Sequence, residues 1–407
     1  MQHLTRTVLA TLIVSAAVIP TASATDDPHG TILLDMRARY EAVEQAGKLD
    51  AEAATLRTRL GWQSPQWAGF TFLVEGENVI ALGSDNYNSG LNGQTAFATI
   101  KDDDITELNR LQVSYAAGEH VRITAGRQLL SFDGNRFIGS PSWRQDRNSH
   151  DALRVDLSQD GWRASYVYHD RVLRGPGDDF DWDSDSHLLN LGYTVNAAAV
   201  LTGFAYFIDL TDPSAPQDVS NMTWGGRLTG SLPLGDASLR YAALVARQSD
   251  YASSTADFDL GFASFDASIS GSGATLMVGY DVLEGDGNNT IATPLGSGHG
   301  FHGWADAFSG GGAQSTADGL EDLRFGASYE GGLALGFLSG WEIGAMHRDF
   351  TSQRNDGDLG REWDAWLSLD LPGDVGLSFQ LADYQSGTSP LSPADRTKQW
   401  IVLTHAR

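Results

Sequence analysis

Residues 109–170 read NRLQVSYAAGEHVRITAGRQLLSFDGNRFIGSPSWRQDRNSHDALRVDLSQDGWRASYVYHD. Apolar and polar residues alternate through this stretch, and the polar ones are often Arg. Leu111, Val113 and Tyr115 share one face, opposite Arg110, Gln112 and Ser114. Leu153, Val155 and Leu157 stand against Arg154 and Asp156. Trp162, Ala164, Tyr166 and Tyr168 stand against Arg163, Ser165, Val167 and His169. A period of two marks strands, because successive side chains point to opposite faces. One apolar face and one charged face suit a sheet with lipid on one side and water on the other.

The same pattern extends outward in both directions. Strands are expected near 33–45, 53–63, 67–80, from 106, and over 121–130, 151–157, 162–172, 186–195 and 199–210. They continue near 221–232, 237–247, 255–267, 273–283, 320–329, 333–350, 361–371, 375–384 and 397–406. The connections alternate between short turns and long loops, the longest being 81–105, 131–150, 173–185, 284–319 and 385–396. That sorting is expected of an all-β, transmembrane, up-and-down antiparallel β-barrel of about 18 strands, with periplasmic turns and extracellular loops. Both termini then fall on the short-turn side. Trp62, Trp67, Trp162, Trp341, Trp363, Trp400, Tyr329 and Tyr384 sit at strand ends, where barrels carry aromatic girdles.

Composition agrees. Residues 1–24 carry Arg6, an apolar core over 8–19 and Ala22-Ser23-Ala24, the pattern of a cleaved signal peptide. A single barrel domain is expected over 25–407. No later stretch is long and apolar enough for a spanning helix. Cysteine is absent, which excludes disulfides and thiolate chemistry. A formal net charge of −25 argues against nucleic acid as a partner. The bases are mostly Arg; Lys48, Lys101 and Lys398 are the only lysines.

With the apolar face toward lipid, Arg37, Arg39, Arg57, Arg59, Arg110, Arg122, Arg154 and Arg163 point into the lumen. A basic wall in a confined, water-filled pore favours anions. Asp35, Glu41, Asp156, Glu342, Asp364 and Asp370 share that phase, so an internal ion-pair lattice competes with an anion path. Arg127 has lipid-face parity, so either a bulge at Gly126 re-aims it or it lies above the hydrocarbon. The 131–150 loop carries Arg136, Trp143, Arg144 and Arg147 and is expected to fold inward as a constriction. The 284–319 loop, Gly-rich with an aromatic cluster at Phe301–Trp304, is a candidate gate. Asp181, Asp183 and Asp185 alternate as a weak Ca²⁺ candidate, lacking the Gly and closing Glu of a calcium loop. No other metal or cofactor signature is present. No G-x-S-x-G elbow occurs, so no enzyme is expected.

Gly126-Arg127-Gln128, Asn135 to Gly139, Trp143-Arg144-Gln145 and Asp151-Ala152 resemble the alginate export family of outer-membrane barrels. A second block, Phe301 to Asp306 and Gly319 to Asp322, agrees. The resemblance implies a monomeric 18-stranded barrel in the outer membrane of a Gram-negative bacterium. It implies an arginine-rich lumen passing an anionic polysaccharide or acidic sugars. A general small-solute porin and a barrel serving as an adhesin are the alternatives.

Overall fold

The computed structural model describes residues 28–406, apart from 84–85, 176, 178–179, 310–313 and 333–337. The signal-like segment 1–24 lies outside the described residues. The strands are β1 (Thr31–Gln45), β2 (Ala51–Gln63), β3 (Phe70–Ala81), β4 (Ile105–Ala117), β5 (Val121–Gln128) and β6 (Ser149–Gln159). They continue as β7 (Trp162–Leu173), β8 (Trp182–Asn196), β9 (Ala199–Ile208), β10 (Asn221–Leu234), β11 (Ala237–Asp250) and β12 (Asp259–Gly271). The last six are β13 (Ala274–Leu283), β14 (Leu320–Gly331), β15 (Gly340–Thr351), β16 (Asp358–Leu371), β17 (Val375–Gln385) and β18 (Arg396–Ala406). Each pairs antiparallel with its neighbours in sequence, forming one 18-stranded sheet. β1 closes on β18, from Asp35 opposite Ala406 to Gln45 opposite Arg396. Closure leaves no edge, so every strand has a partner on both sides and no ladder is left for lipid to solvate.

The outward face carries Leu60, Leu111, Leu191, Val245, Phe325 and Leu403, all exposed. An exposed apolar surface on this scale makes sense only against lipid. Trp62, Trp67, Trp162, Trp363 and Tyr329 are exposed on the outside. Trp400 and Tyr384 are not girdle residues: both point inward and are buried, because their parity follows Lys398 and Ala382.

Several boundaries differ from the sequence expectation: β3 begins at Phe70, β8 at Trp182 and β12 at Asp259. β12 runs to Gly271, and the turn tightens to Ser272-Gly273, because small Ser and Gly residues continue the register with β11 and β13. β15 begins at Gly340. Arg127 points outward. Neither pairing of β5 shifts register, so no bulge re-aims it. It grips Asp151 through two contacts of 3.0 and 3.1 Å. Asp151 stands opposite Arg171, which stands opposite Asp183 at 2.6 Å. This row of alternating charges crosses β5–β8 near the long-loop end.

The lumen is not open water. The loop 129–148 and the loop 284–319 both fold into it. Leu130, Phe132, Phe137 and Ile138 from the first, and Ile291, Leu295 and Phe308 from the second, are buried. They pack against inward residues of the wall: Val167, Leu188, Phe204, Tyr206, Leu244 and Phe262. Inward residues on β7–β12 are therefore substantially apolar, and the polar inner wall is concentrated on β1–β4 and β14–β18. The outward face is tested by Leu189→Arg, near the middle of β8 and exposed. It should lower unfolding stability by about 2–4 kcal/mol, read from urea titration in lipid vesicles.

Candidate functional site

The path of the loop 129–148 is fixed by charge. A two-residue ladder, Ser131–Phe132 with Ile138–Gly139, brackets a tight turn at Asp133–Asn135. Asp133 accepts hydrogen bonds from the Tyr206 hydroxyl and from Asn190 Nδ2 at 2.9 Å. The chain then crosses to β1 and β2. The Arg37 guanidinium donates to the Ser142 carbonyl at 2.6 Å, the Trp143 carbonyl at 2.9 Å, the Arg144 carbonyl, and Gln145 Oε1 at 2.8 Å. Arg39 adds a bond to the Trp143 carbonyl at 2.6 Å. Arg59 reaches the Gln145 carbonyl at 3.2 Å, and Gln145 Nε2 donates to Thr55 Oγ1 at 2.9 Å. Arg147 binds Glu75 at 2.8 Å and Asn109 at 2.7 Å.

All eight wall arginines named from the sequence face inward, but most are engaged. Arg57 pairs with Asp35, Arg59 with Glu77, Arg110 with Glu75, and Arg39 with Asp102 and with Glu41 at 3.1 Å. Arg154 pairs with Asp156 at 2.8 Å and lies over the Phe132 ring. Arg122 and Arg163, toward the short-turn end, have no carboxylate within ion-pairing distance among the described residues. The loop residue Arg136 is buried against Asp281 at 2.9 Å and His302 at 2.8 Å, with Phe262 and Phe301 on its faces. Arg324 and Arg348 complete that lattice around Asp281, Asp322 and Asp364.

The loop 284–319 is pressed onto β16. Backbone N–H groups of Trp304 and Ala305 donate to Asp364 and Glu362 at 3.3 and 2.9 Å. A Cβ at Gly303 would lie 2.3 Å from the Glu362 carboxylate, so only glycine permits this approach. The two inward loops then meet. Trp143 stacks on His299 with ring centroids 3.7 Å apart, and Trp400 meets Trp143 edge-on at 5.2 Å.

Trp143 and Pro141 stand between two cavities. The lower one, about 390 Å³, lies against Arg37, Arg39, Ser378 and Gln380. The upper one, about 410 Å³, opens toward the long loops and is lined by Lys48, Lys101, Arg144, Arg174, Arg396 and Lys398. All three lysines of the chain converge there. Sequence reading marked their rarity and gave them no role; nothing in local spacing links a turn, a long loop and the last strand. Asp306 is the main opposing charge, bound by Lys398 at 2.6 Å and His299 at 3.0 Å, with Arg144 at 3.6 Å. Burial alone would raise its carboxyl, but Lys398, His299 and Arg144 hold it well below the usual carboxylate range. Burial, then Arg144 and Arg174, push the Lys101 ammonium down, the mark of crowded cations. Asp181, Asp183 and Asp185 are not brought together as the calcium candidate requires. The register shifts between Asp183 and Ser186, Asp183 is taken by Arg171, and Asp181 accepts the Arg174 N–H.

Arg37→Ala should free the loop, because the Ser142 and Arg144 carbonyls lose their side-chain donor and Trp143 keeps only Arg39. Stability should fall by about 2–4 kcal/mol. Added protease should cut within 141–148, where the unaltered protein resists. Arg37→Lys should rescue only in part, since an ammonium cannot reproduce the planar fork.

A family model described as alginate export matches residues 31–229. Among curated proteins none matches. Solved structures share the fold over nearly its whole length. Pseudomonas aeruginosa OccK9 (OpdG) is 15% identical, covers 93% of this chain and 98% of its own, and superposes with a TM-score of 0.70. OpdO from the same organism is also 15% identical, over 93% and 97%, with a TM-score of 0.68. Acinetobacter baumannii OccAB2 is 13% identical over 92% and 98%, with a TM-score of 0.69. At such identities the likeness is one of fold. Residues 31–229 of this closed 18-stranded barrel thus match the alginate export family, and the whole chain shares the fold of the solved barrels.

Proposed function

We propose that the barrel is an anion-selective channel of the Gram-negative outer membrane, passing small acidic sugars such as uronates. The observation that carries this reading is the upper cavity, where six cationic side chains face Asp306 and Asp146. Low-dielectric walls focus that field and concentrate anions at the mouth. Arg and Lys then offer several carboxylate contacts without one closed, high-affinity cage, so an anion can enter and leave. The flat faces of Trp143 and His299 give the apolar side of a sugar ring something to lie on. Below Trp143, Arg37 and Arg39 border the next cavity, which supports a second cationic station on the same line.

Cavity size favours small solutes over a polymer. Each compartment falls in the range of ordinary small-ligand sites. A polysaccharide would need Trp143 and its loop displaced, against the Arg37 bonds. Among the structural neighbours, OpdK has been solved with vanillate, itself a carboxylate. A passive path of this kind follows the gradient of its solute, and the single closed barrel suits a monomer.

The test is the reversal potential across a planar bilayer in a KCl gradient, with and without mono- and diuronates. The expected result is chloride preference and current block by uronate but not by neutral sugar. Replacing Lys48, Lys101 and Lys398 together by Gln should cut the chloride-to-potassium permeability ratio several-fold and weaken the block. Cation preference, or conductance indifferent to uronate, would overturn the reading in favour of a general porin.

A further inference from the structure

Beside the loop clamp lies a group of acids that the anion path does not use. Glu77 on β3, Glu107 on β4 and Asp146 on the inward loop bring one carboxylate oxygen each to within 4.8 Å of one another. Glu77 is 1% and Asp146 6% exposed. The neighbouring cations are already committed. Arg59 binds Glu77 and Asp35, the Arg147 side chain binds Glu75 and Asn109, and Arg127 binds Asp151. Glu77 receives one further bond, from the Arg147 backbone N–H at 3.3 Å. No described cation or N–H group binds Asp146, whose polar contacts are carboxyl to carboxyl, with Glu77 and Glu107, and its Oδ2 is buried with no other donor. A buried carboxylate facing two others needs a counter-charge or a proton. Burial, then Glu107 and Glu77, push the Asp146 carboxyl up to about 9.

We propose that Glu77, Glu107 and Asp146 hold a divalent cation of the hard, oxygen-seeking kind, Ca²⁺ by preference. Glu107 and Asp146 offer their carboxylate oxygens, Glu77 shares its two with Arg59 and the Arg147 backbone N–H, and waters can complete the 6–8 that Ca²⁺ takes in irregular arrangements. Asp146 also lines the upper cavity, which gives the ion an entry path and room for water ligands. The other close grouping, Asp281, His302 and Asp322, is a poor competitor, because Arg136, Arg324 and Arg348 already occupy its acceptors. A bound cation ties the inward loop to β3 and β4, just beyond the Arg37 bonds. It also removes negative charge from the border of the cationic mouth. The ion site stands whether or not uronates are the solute.

Calcium titration calorimetry on the refolded, metal-stripped chain in detergent, at pH 7.5 and 150 mM KCl, tests this. The expected result is one saturable Ca²⁺ site, weakened at least tenfold by Asp146→Asn and by Glu107→Gln. Asp183→Asn, an outer-surface control paired with Arg171, should leave it unchanged. Thermal unfolding supplies the second reading: Ca²⁺ should raise the midpoint of the unaltered protein and not that of Asp146→Asn. No saturable binding, or binding indifferent to Asp146→Asn, would overturn the proposal. So would Asp146→Asn raising the midpoint equally in Ca²⁺ and in chelator, the signature of a shared proton. Neither outcome decides chloride preference, which the reversal potential reads on its own, so the channel reading stands or falls separately.

Discussion

A guanidinium buried inside the barrel with no carboxylate of its own sets the rest of the interior. Arg37 is 8% exposed and is satisfied by three consecutive peptide carbonyls and one side-chain amide. Desolvating such a charge without partners would cost several kcal/mol. The loop therefore cannot leave without exposing that cost, and Arg37 cannot be satisfied without the loop. From this one exchange follow the crossing at Ser142 to Gln145, the position of Trp143 against His299, and the division of the lumen into two cavities.

The loop's two ends meet different physics. The first part, Leu130 to Ile138, is held by apolar burial against β7–β12, together with the second inward loop. The later part is held by hydrogen bonds and ion pairs against β1–β4. Filling one side of the barrel with an apolar plug pushes the polar space off-centre. Every cation of the upper cavity comes from β18, the loops or the β1–β2 connection. The path is eccentric, and its charge is set by a few residues rather than averaged around a ring.

Alternation and loop sorting made the barrel legible, because both are local consequences of a sheet with lipid on one face. Parity also placed eight of the arginines of β1–β7 inward. What parity cannot say is what covers an inward residue. Arg57 and Arg110 look identical to free lumen charges in sequence, yet each faces a carboxylate on an adjacent strand, and that depends on register. Trp400 and Tyr384 show the same limit from the other side. Position at a strand end suggested the girdle, while their phase put them against the inward loops. The lysines were visible as rarities, but only closure of the barrel brings residues 48, 101 and 398 to one mouth.

The acidity of the chain looks at odds with the anion path proposed above, and the arrangement of charge resolves it. Inward acids are largely consumed by the arginines beside them. Outward acids are interleaved with bases, as in the row Arg127, Asp151, Arg171 and Asp183, or stand in the loops at the rim. A formal charge of −25 is thus a sum over places that a solute does not visit. Within a Debye length, about 8 Å at physiological salt, what an entering anion meets is the local set. At the upper cavity that set is six cations, with Asp306 shared among Lys398, His299 and Arg144. Selectivity in such a barrel is decided by which charges are left over after the wall has paired itself, not by how many the chain contains.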